Sequence, residues 1–290
     1  MRKPFTASRI FDGLNVIILG TIAALMLFPL WIVLVKSVSV AHVVTEGGLM
    51  FWPEGFTLSA YETIFQRRNF LNVFANTIVI TVLGTAISMI LTTCLSYPLS
   101  KKRVAGSTVM LFLVFFTMLF NGGLVPNYLV VREVGLLDTL WALMLPQAIQ
   151  AFNVIIMVSF FRTIPQELEE SAKIDGANDL IILFRIVVMT SLPVIATLTL
   201  FYAVNQWNTY FQAVLYINSE QNQVLQVLLR QLILQLNNQE VIQDDVANLH
   251  QVAVTVKQAM VIVATLPILL IYPFLQKYFA KGVMIGSIKG

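Results

Sequence analysis

The chain has 290 residues, of which 58% are hydrophobic and only 11% are charged, and its mean hydropathy is +0.81. Soluble domains carry about 25% charged residues, so this composition excludes an ordinary soluble protein and predicts an all-α integral membrane protein. A net charge of +3 is too small to predict nucleic-acid binding. The single Cys94 excludes an internal disulfide and is interpreted as a buried structural thiol.

Six long apolar runs follow one another along the chain, and each is predicted to cross the membrane as a helix. Their approximate bounds are 14–35, 70–99, 107–121, 139–161, 190–217 and 252–275. The first run is too long for a signal-peptide core, so it is predicted to be a retained span. Residues 1–290 are therefore interpreted as a single transmembrane domain.

The polar connections carry shorter predicted elements. FTLSAYETIF, residues 56–65, is predicted to form a surface helix, and a second short helix is predicted within 127–138. An amphipathic helix is predicted in 218–251, where it either packs on the outer surface or meets a binding protein. Its apolar stripe consists of Val224, Leu225, Leu228, Leu229, Leu232 and Leu236.

Lysine and arginine residues are distributed unequally between the two sides of this topology. With the N-terminus inside, twelve of the 18 basic residues fall in inner loops and tails and six fall in outer ones. Because basic residues accumulate in cytoplasmic loops, both termini and the polar loop that follows the fourth run are predicted to face the cytoplasm.

The predicted spans are nearly free of ionisable groups. Apart from Lys257 near the outer end of the last run, they contain no Asp, Glu, Lys, Arg or His. Intramembrane charges are typical of ion-coupled carriers, and titratable groups are needed for acid–base catalysis. The chain also lacks a G-x-x-x-x-G-K-[ST] phosphate loop. Any pumping by this chain must therefore draw its energy from another chain.

The loop after the fourth run, from Thr163 to Pro193, holds five of the fifteen acidic residues. Pro165 suits the first position of a helix, and acidic residues follow in the first turns. Gly176 can end that helix in the left-handed conformation, and Asn178 or Asp179 can cap a second one. A short helix, a sharp turn and a second helix are predicted. The second helix carries Leu180, Leu183, Phe184 and Val187.

This loop resembles the EAA coupling motif of bacterial ABC importer permeases. Glu170-Ser171-Ala172 is followed after three residues by Gly176 and Ala177, and IPQELEESAKIDGA is similar to the carbohydrate branch of the family. Ser171 replaces the usual first Ala, and Met189 stands where Pro is common, although Pro193 remains. The resemblance extends from about residue 69 to the end. It implies the type I importer permease fold.

The resemblance implies that the coupling loop, residues 163–189, docks into a groove on an ATPase. Small residues would let the loop sit close to the ATPase, and acidic ones would pair with basic groups there. The residues to which this role is assigned are Glu169, Glu170, Ser171, Ala172, Asp175, Gly176 and Ala177.

The same resemblance implies a set of partners. These are a second, homologous permease subunit, two ATP-binding subunits and an extracellular or periplasmic solute-binding protein, assembled in the bacterial cytoplasmic membrane. ATP and Mg²⁺ would be bound by the ATPase subunits, so this chain is expected to bind no cofactor and to catalyse no reaction. No metal site is expected either, because His42 and His250 are far apart in the sequence.

The fifth run carries a candidate solute path. Asn205, Asn208, Thr209 and Gln212 recur at i, i+3, i+4 and i+7, and uncharged amides and hydroxyls suit sugar hydroxyls. Trp207 and Tyr210 could stack on a sugar face, and Asn76, Asn121 and Asn153 are further candidates. The alternative is that these side chains hydrogen-bond to neighbouring helices, as membrane Asn and Gln often do.

The resemblance favours import of an oligosaccharide. NGGLVPNYLVV and AVNQWNTYFQAVLYI are similar to the polysaccharide-fragment subgroup, some members of which handle acidic saccharides, and Arg132 near the outer mouth would suit an acidic cargo. Two alternatives are kept: an ABC permease for another solute, such as a peptide or amino acid, and an ion-coupled carrier or membrane enzyme.

Overall fold

The computed structural model describes residues 6–45, 48–67, 69–120, 122–238, 254–271 and 273. All regular secondary structure in these ranges is helical. The helices are α1 Thr6–Ser37, α2 Ala41–Thr45, α3 Ser59–Phe65, α4 Phe70–Ser100, α5 Ser107–Leu119, α6 Leu124–Glu133, α7 Trp141–Met144, α8 Ala151–Phe161, α9 Gln166–Ile174, α10 Asp179–Thr190, α11 Leu192–Trp207, α12 Phe211–Tyr216, α13 Leu225–Asn238 and α14 Val254–Ile271.

The described residues form two compact units. The first contains residues 6–45, 48–67, 229–238 and 254–266, and its small core is built from Val35, Val44 and Met50. The N–H of Val40 donates to Glu54 O, and the N–H of Thr57 donates to Val38 O. These two hydrogen bonds hold residues 54–57 against the segment that follows α1. The predicted short helix within 56–65 is confirmed as α3.

The second unit contains residues 69–228, with 267–271 and 273, and α4 is its central element. Helices α8 and α11 pack along α4. The buried face of α4 is rich in small side chains: Gly84, Thr85, Ser88, Thr92 and Ser96. A Cβ atom on Gly84 would lie 2.9 Å from the end of the Gln206 side chain of α11, so a larger residue here would require that side chain to shift. Small residues let helices approach closely in membranes.

The predicted spans 14–35, 70–99 and 252–275 correspond to single helices, as far as the described residues extend. Phe11–Ser37, Phe70–Ser100 and Val254–Ile271 are each long and apolar enough to cross a membrane. Two bent helix pairs raise the number of candidate spans to five: α5 with α6, and α10 with α11. The six-span topology and the positions of the termini stay predictions.

The runs 139–161 and 190–217 were predicted as continuous helices, and that prediction is wrong. The first is divided into α7 and α8, with Pro146 in the break. Proline lacks a backbone N–H and clashes with the preceding helical turn, so a helix cannot continue through this position undisturbed.

The second run is divided into α11 and α12 by a break at 208–210. Asn208 Nδ2 donates to Val204 O at 2.8 Å, and Thr209 Oγ1 donates to Asn205 O at 3.3 Å. These side chains engage carbonyls of the last helical turn, which favours an end to the helix there.

The run 107–121 is also shorter as a helix than predicted. Helix α5 ends at Leu119, and α6 follows at a bend of 115°. The predicted short helix within 127–138 is found as α6, which begins a few residues earlier.

Cys94 was expected to be buried, and this expectation is also wrong. The thiol-bearing residue lies on an exposed face of α4. An apolar run does not specify which of its faces is covered, because every face of a membrane helix is hydrophobic.

Candidate coupling site and solute cavity

The turn after α9 has the geometry that the sequence predicts. Gly176 has a φ of +82°, its N–H donates to Lys173 O at 3.0 Å, and Ala177 N–H donates to Ala172 O at 2.9 Å. This pair of hydrogen bonds is a Schellman motif, which ends a helix at a left-handed residue. Pro165 precedes the helix as its N-cap residue rather than occupying its first position.

Helix α10 begins at the predicted cap. Asn178 Oδ1 accepts a hydrogen bond from Ile181 N–H at 2.9 Å. Of the four predicted apolar positions, Leu183 and Val187 are buried, but Leu180 and Phe184 are exposed. Residues 182–187 form a π-helical turn, which is wider than an α-helical turn and therefore changes which positions face the core.

The seven predicted coupling residues divide into two groups. Ala172 and Ala177 are half-buried and pack against the chain's own cluster around Ile182. Glu169 is 2% exposed, so it is covered as well. Four residues face outward: Glu170, Ser171, Asp175 and Gly176.

Glu169 has partners within the chain, unlike the intermolecular pairing expected from the resemblance. Its carboxylate forms an ion pair with Lys101 Nζ, which lies just after α4. Tyr97 Oη donates to Glu169 Oε2 at 3.5 Å, and the Lys101 ammonium lies 4.9 Å from the centre of the Tyr97 ring. We define Tyr97, Lys101 and Glu169 as the α4–α9 tie.

Apolar residues are exposed around the coupling turn. Ile174 is 86% exposed at the end of α9, and Leu168 and Leu180 are also exposed. Nearby, Asp179 pairs with Lys173 at 3.1 Å and with Arg103 at 3.5 Å, in half-exposed positions where ion pairs contribute little stability. The turn thus presents an apolar tip beside the acidic Glu170 and Asp175.

The predicted polar stripe on the fifth run is not continuous. Asn205 lies on α11, Asn208 and Thr209 lie in the break, and Gln212 lies on α12. Asn208 and Thr209 bond to the backbone of α11, and Thr209 is buried. Asn205 Nδ2 donates to Gln147 Oε1 at 3.0 Å.

Three further predicted path residues are buried or half-buried within the chain itself. Trp207 is buried and packs edge-to-face on Phe74, and Tyr210 is half-buried. Asn153 is buried and donates to Gln150 Oε1 at 3.3 Å. Asn121 lies outside the described residues, as does His250.

Asn76 holds a distant loop in place. Its Nδ2 donates to Gln221 O at 2.7 Å and to Gln223 O at 3.0 Å. Asn69, which directly precedes α4, donates to Glu220 O, and Asn72 in the first turn of α4 donates to Gln221 O. The amide nitrogen of Asn76 is therefore engaged by backbone carbonyls of this loop.

Asp138 ties the turn before α7 to the same loop. Its Oδ1 accepts from Asn218 N–H at 3.0 Å and from Ser219 N–H at 2.8 Å. These backbone hydrogen bonds, Ser219 first, lower the pKa of the Asp138 carboxyl below its usual value, because they favour the ionised form. Asp138 has a φ of +59°, so this arrangement imposes a conformation that is uncommon for residues with a side chain.

A cavity of about 830 Å³ lies between α6, the 145–147 turn and α12. Among the eight predicted path residues that the structure describes, only Gln212 lines it. Asn127 and Gln147 also line it, and sequence reasoning missed both, because they lie on segments assigned to a surface helix and a span interior. Asn205 reaches the cavity indirectly, through its hydrogen bond to Gln147.

No protein-family model matches the chain. It is 45% identical over 284 residues to protein LplC of Bacillus subtilis. That match covers 98% of this chain and 96% of LplC. It is also 45% identical over 287 residues to the polygalacturonan/rhamnogalacturonan transport system permease protein YtcP of the same organism, covering 98% and 99% of the two chains.

Among solved structures, the fold is similar to a chain of a bacterial ABC transporter involved in the import of the acidic polysaccharide alginate. The TM-score is 0.85 at 34% identity, and the match covers 96% of this chain and 100% of that one.

Proposed function

The chain belongs to the carbohydrate-transporting permease subunits of bacterial ABC importers, and from this premise we propose that it moves an oligosaccharide into the cytoplasm by alternating access. The observation that carries the proposal is the connection between a coupling turn and a cavity within one unit. Helix α9 is joined to the end of α4 by the α4–α9 tie, and α4 packs along α11, which leads to the cavity.

The proposed energy source is a pair of ATPase subunits on the cytoplasmic side, which bind ATP and Mg²⁺. The chain has no phosphate loop of its own, and the outward residues of the coupling turn suit a docking groove. An exposed Ile174 can enter an apolar pocket, while Glu170 and Asp175 can pair with basic groups on its rim.

Closure of the ATPases would displace the coupling turn, and the buried ion pair would carry that displacement to α4. A pair that is largely shielded from water resists separation more strongly than an exposed one. Movement of α4 against α11 would then alter access to the cavity. A second, homologous permease would complete the path, and a solute-binding protein outside the membrane would deliver the cargo.

Six spans with both termini in the cytoplasm are the topology we propose for the bacterial cytoplasmic membrane. The twelve-to-six distribution of basic residues supports it, and it places α9 on the side of the ATPases. The separate helices of the bent pairs and of the broken fourth run are each shorter than a bilayer-spanning helix, so in the proposed topology these spans are built from two segments.

The proposed cargo is a fragment of a polysaccharide of the polyuronate type. YtcP is a polygalacturonan/rhamnogalacturonan transport permease, and the similar solved transporter imports the acidic polysaccharide alginate. Arg132, expected to suit an acidic cargo, pairs with Glu133 at 3.0 Å on the exposed side of α6 and does not line the cavity.

The proposal is tested by reconstituting the chain with its partner permease, the ATPase subunits and the binding protein in vesicles. Oligogalacturonides added with the binding protein are expected to stimulate ATP hydrolysis and to accumulate inside. Uptake that persists without ATP, or that follows an ion gradient, would overturn the assignment.

A further inference from the structure

The cavity beside α12 has an uncharged wall, as far as the described residues extend. Its volume of about 830 Å³ falls within the range of roughly 300–1,000 Å³ that is typical of small-molecule sites. The polar side chains that line it include three amides, those of Asn127, Gln147 and Gln212. A carboxylate placed here would meet no cation, whereas a hydroxyl would meet both donors and acceptors.

Each of these three amides has hydrogen-bonding groups that no other described residue engages. Gln147 Oε1 accepts from Asn205, which orients the side chain and leaves Nε2 available to donate. The side chains of Asn127 and Gln212 form no hydrogen bond with any residue in the described ranges. In contrast, Asn69, Asn72 and Asn76 are all engaged by backbone carbonyls.

Aromatic side chains complete the wall. Phe211 and Tyr216 line the cavity from α12, and Tyr128 stacks on Tyr216 at a ring distance of 6.3 Å. Aromatic faces provide apolar contact area in defined orientations, which suits the C–H faces of sugar rings. Free amides next to aromatic rings therefore match a polyhydroxylated ring better than a charged or purely apolar ligand.

We propose that this cavity is the subsite through which the chain recognises saccharide hydroxyl groups, and that it does not distinguish acidic from neutral saccharides. Asn127, Gln147 and Gln212 are its specificity-determining residues. The inference rests on the proposed function, and it assigns any selection for carboxylates to other parts of the assembly.

The first experiment removes amides from the cavity in the reconstituted complex. Uptake is measured for an oligogalacturonide and for its fully methyl-esterified, neutral counterpart. Asn127→Ala and Gln212→Ala are each expected to slow uptake of both by the same factor, about two- to tenfold, since each removes neutral hydrogen bonds. Asn218→Ala, an exposed amide outside the cavity, is the matched control and should leave both rates unchanged.

The second experiment introduces a charge. Gln212→Glu is expected to lower the ratio of acidic to neutral uptake at least about tenfold in dilute salt, because like charges repel within a confined site. Added salt should reduce this difference by screening. Asn218→Glu adds the same charge outside the cavity and should leave the ratio unchanged.

The outcomes separate the inference from the proposed function. If Asn127→Ala and Gln212→Ala slow only the acidic saccharide, or if Gln212→Glu leaves the ratio unchanged, the cavity is not a hydroxyl subsite, although the chain is still a saccharide permease. If the unmodified complex uses ATP to import neither saccharide, the proposed function fails, and the subsite with it.

Discussion

Individual side chains explain how a mostly apolar chain keeps a polar loop in a fixed position. Glu169 is the buried acid of the coupling helix, and its partner Lys101 comes from a basic turn 68 residues earlier. Removing one member of a buried ion pair leaves the other charge uncompensated, which costs more than replacing both. The pair is therefore a specific connection between two segments.

Glu169→Gln is expected to lower the stability of the assembled complex by roughly 3 kcal/mol, because Lys101 would lose its counter-charge in a largely buried place. The double variant Lys101→Met with Glu169→Leu should recover most of that loss. Thermal unfolding of the complex measures both. Glu167→Gln, an exposed acid on the same helix, is the control, and equal stability of the Glu167 and Glu169 variants would contradict the assignment.

Asp138 is a second residue with a specific local effect. Its lowered pKa means that the ionised carboxylate is bound more tightly in the folded chain than in the unfolded one. The stabilisation is therefore complete above the ordinary carboxyl pKa of about 3.9 and is lost as the pH falls through the lower folded value.

Hydrogen exchange, corrected for intrinsic rates, should show that the amides of Asn218 and Ser219 lose protection as the pH is lowered through that window. Asp138→Asn keeps an acceptor oxygen but does not titrate, so its protection should stay constant over the same range. A pH dependence that is unchanged in the variant would show that another group is responsible.

At the scale of helices, the coupling element has two faces. Ala172 and Ala177 anchor it to the core around Ile182, while Glu170, Asp175 and Ile174 remain available to a partner. The Schellman turn at Gly176 fixes the angle at which the chain leaves α9. Because the turn determines which residues are presented, its backbone conformation matters more than any one side chain.

Gly176→Pro is expected to abolish saccharide-stimulated ATP hydrolysis while the chain still inserts in the membrane. Proline cannot adopt a φ of +82° and has no N–H to donate to Lys173 O. Gly176→Ala should cost only about 1–2 kcal/mol, because no atom lies within 4 Å of the added Cβ. Gly106→Pro disturbs a turn with a similar φ of +80° and should keep the stimulation. Full stimulation in Gly176→Pro would contradict the role of the turn.

Elements set by neighbouring residues could be predicted from the sequence, and elements set by distant ones could not. The end of α9 and the cap at Asn178 depend on residues within one turn, and both were found where expected. The Lys101–Glu169 pair and the bonds of Asn76, whose Gln221 partner is 145 residues away, require the folded chain. Hydropathy also concealed the break at Pro146, because a broken helix in a membrane is as apolar as a continuous one.

At the scale of the whole molecule, the proposed topology places the coupling turn and the cavity wall on opposite sides of the bilayer. Asn218 and Arg132 are exposed near the cavity segments, and Lys102 and Ser171 are exposed near the coupling helix. The positive-inside rule assigns the second pair to the cytoplasm.

Single cysteines placed at these four positions in a Cys94→Ala background test the topology. An impermeant maleimide is expected to label positions 132 and 218 from outside intact cells, and positions 102 and 171 only in inverted vesicles. Labelling of positions 132 and 171 from the same side would refute the six-span arrangement.

Cys94 gives the native chain a use in time-resolved measurements. It is the single cysteine, it is exposed, and it lines a cavity of about 630 Å³ together with Lys101, Lys173 and Asp179. It lies six residues before the end of α4, about 9 Å along the helix axis. A fluorophore or spin label attached there would report changes in the space between α4 and the residues around the coupling turn during each ATP turnover, with no engineered cysteine in this subunit.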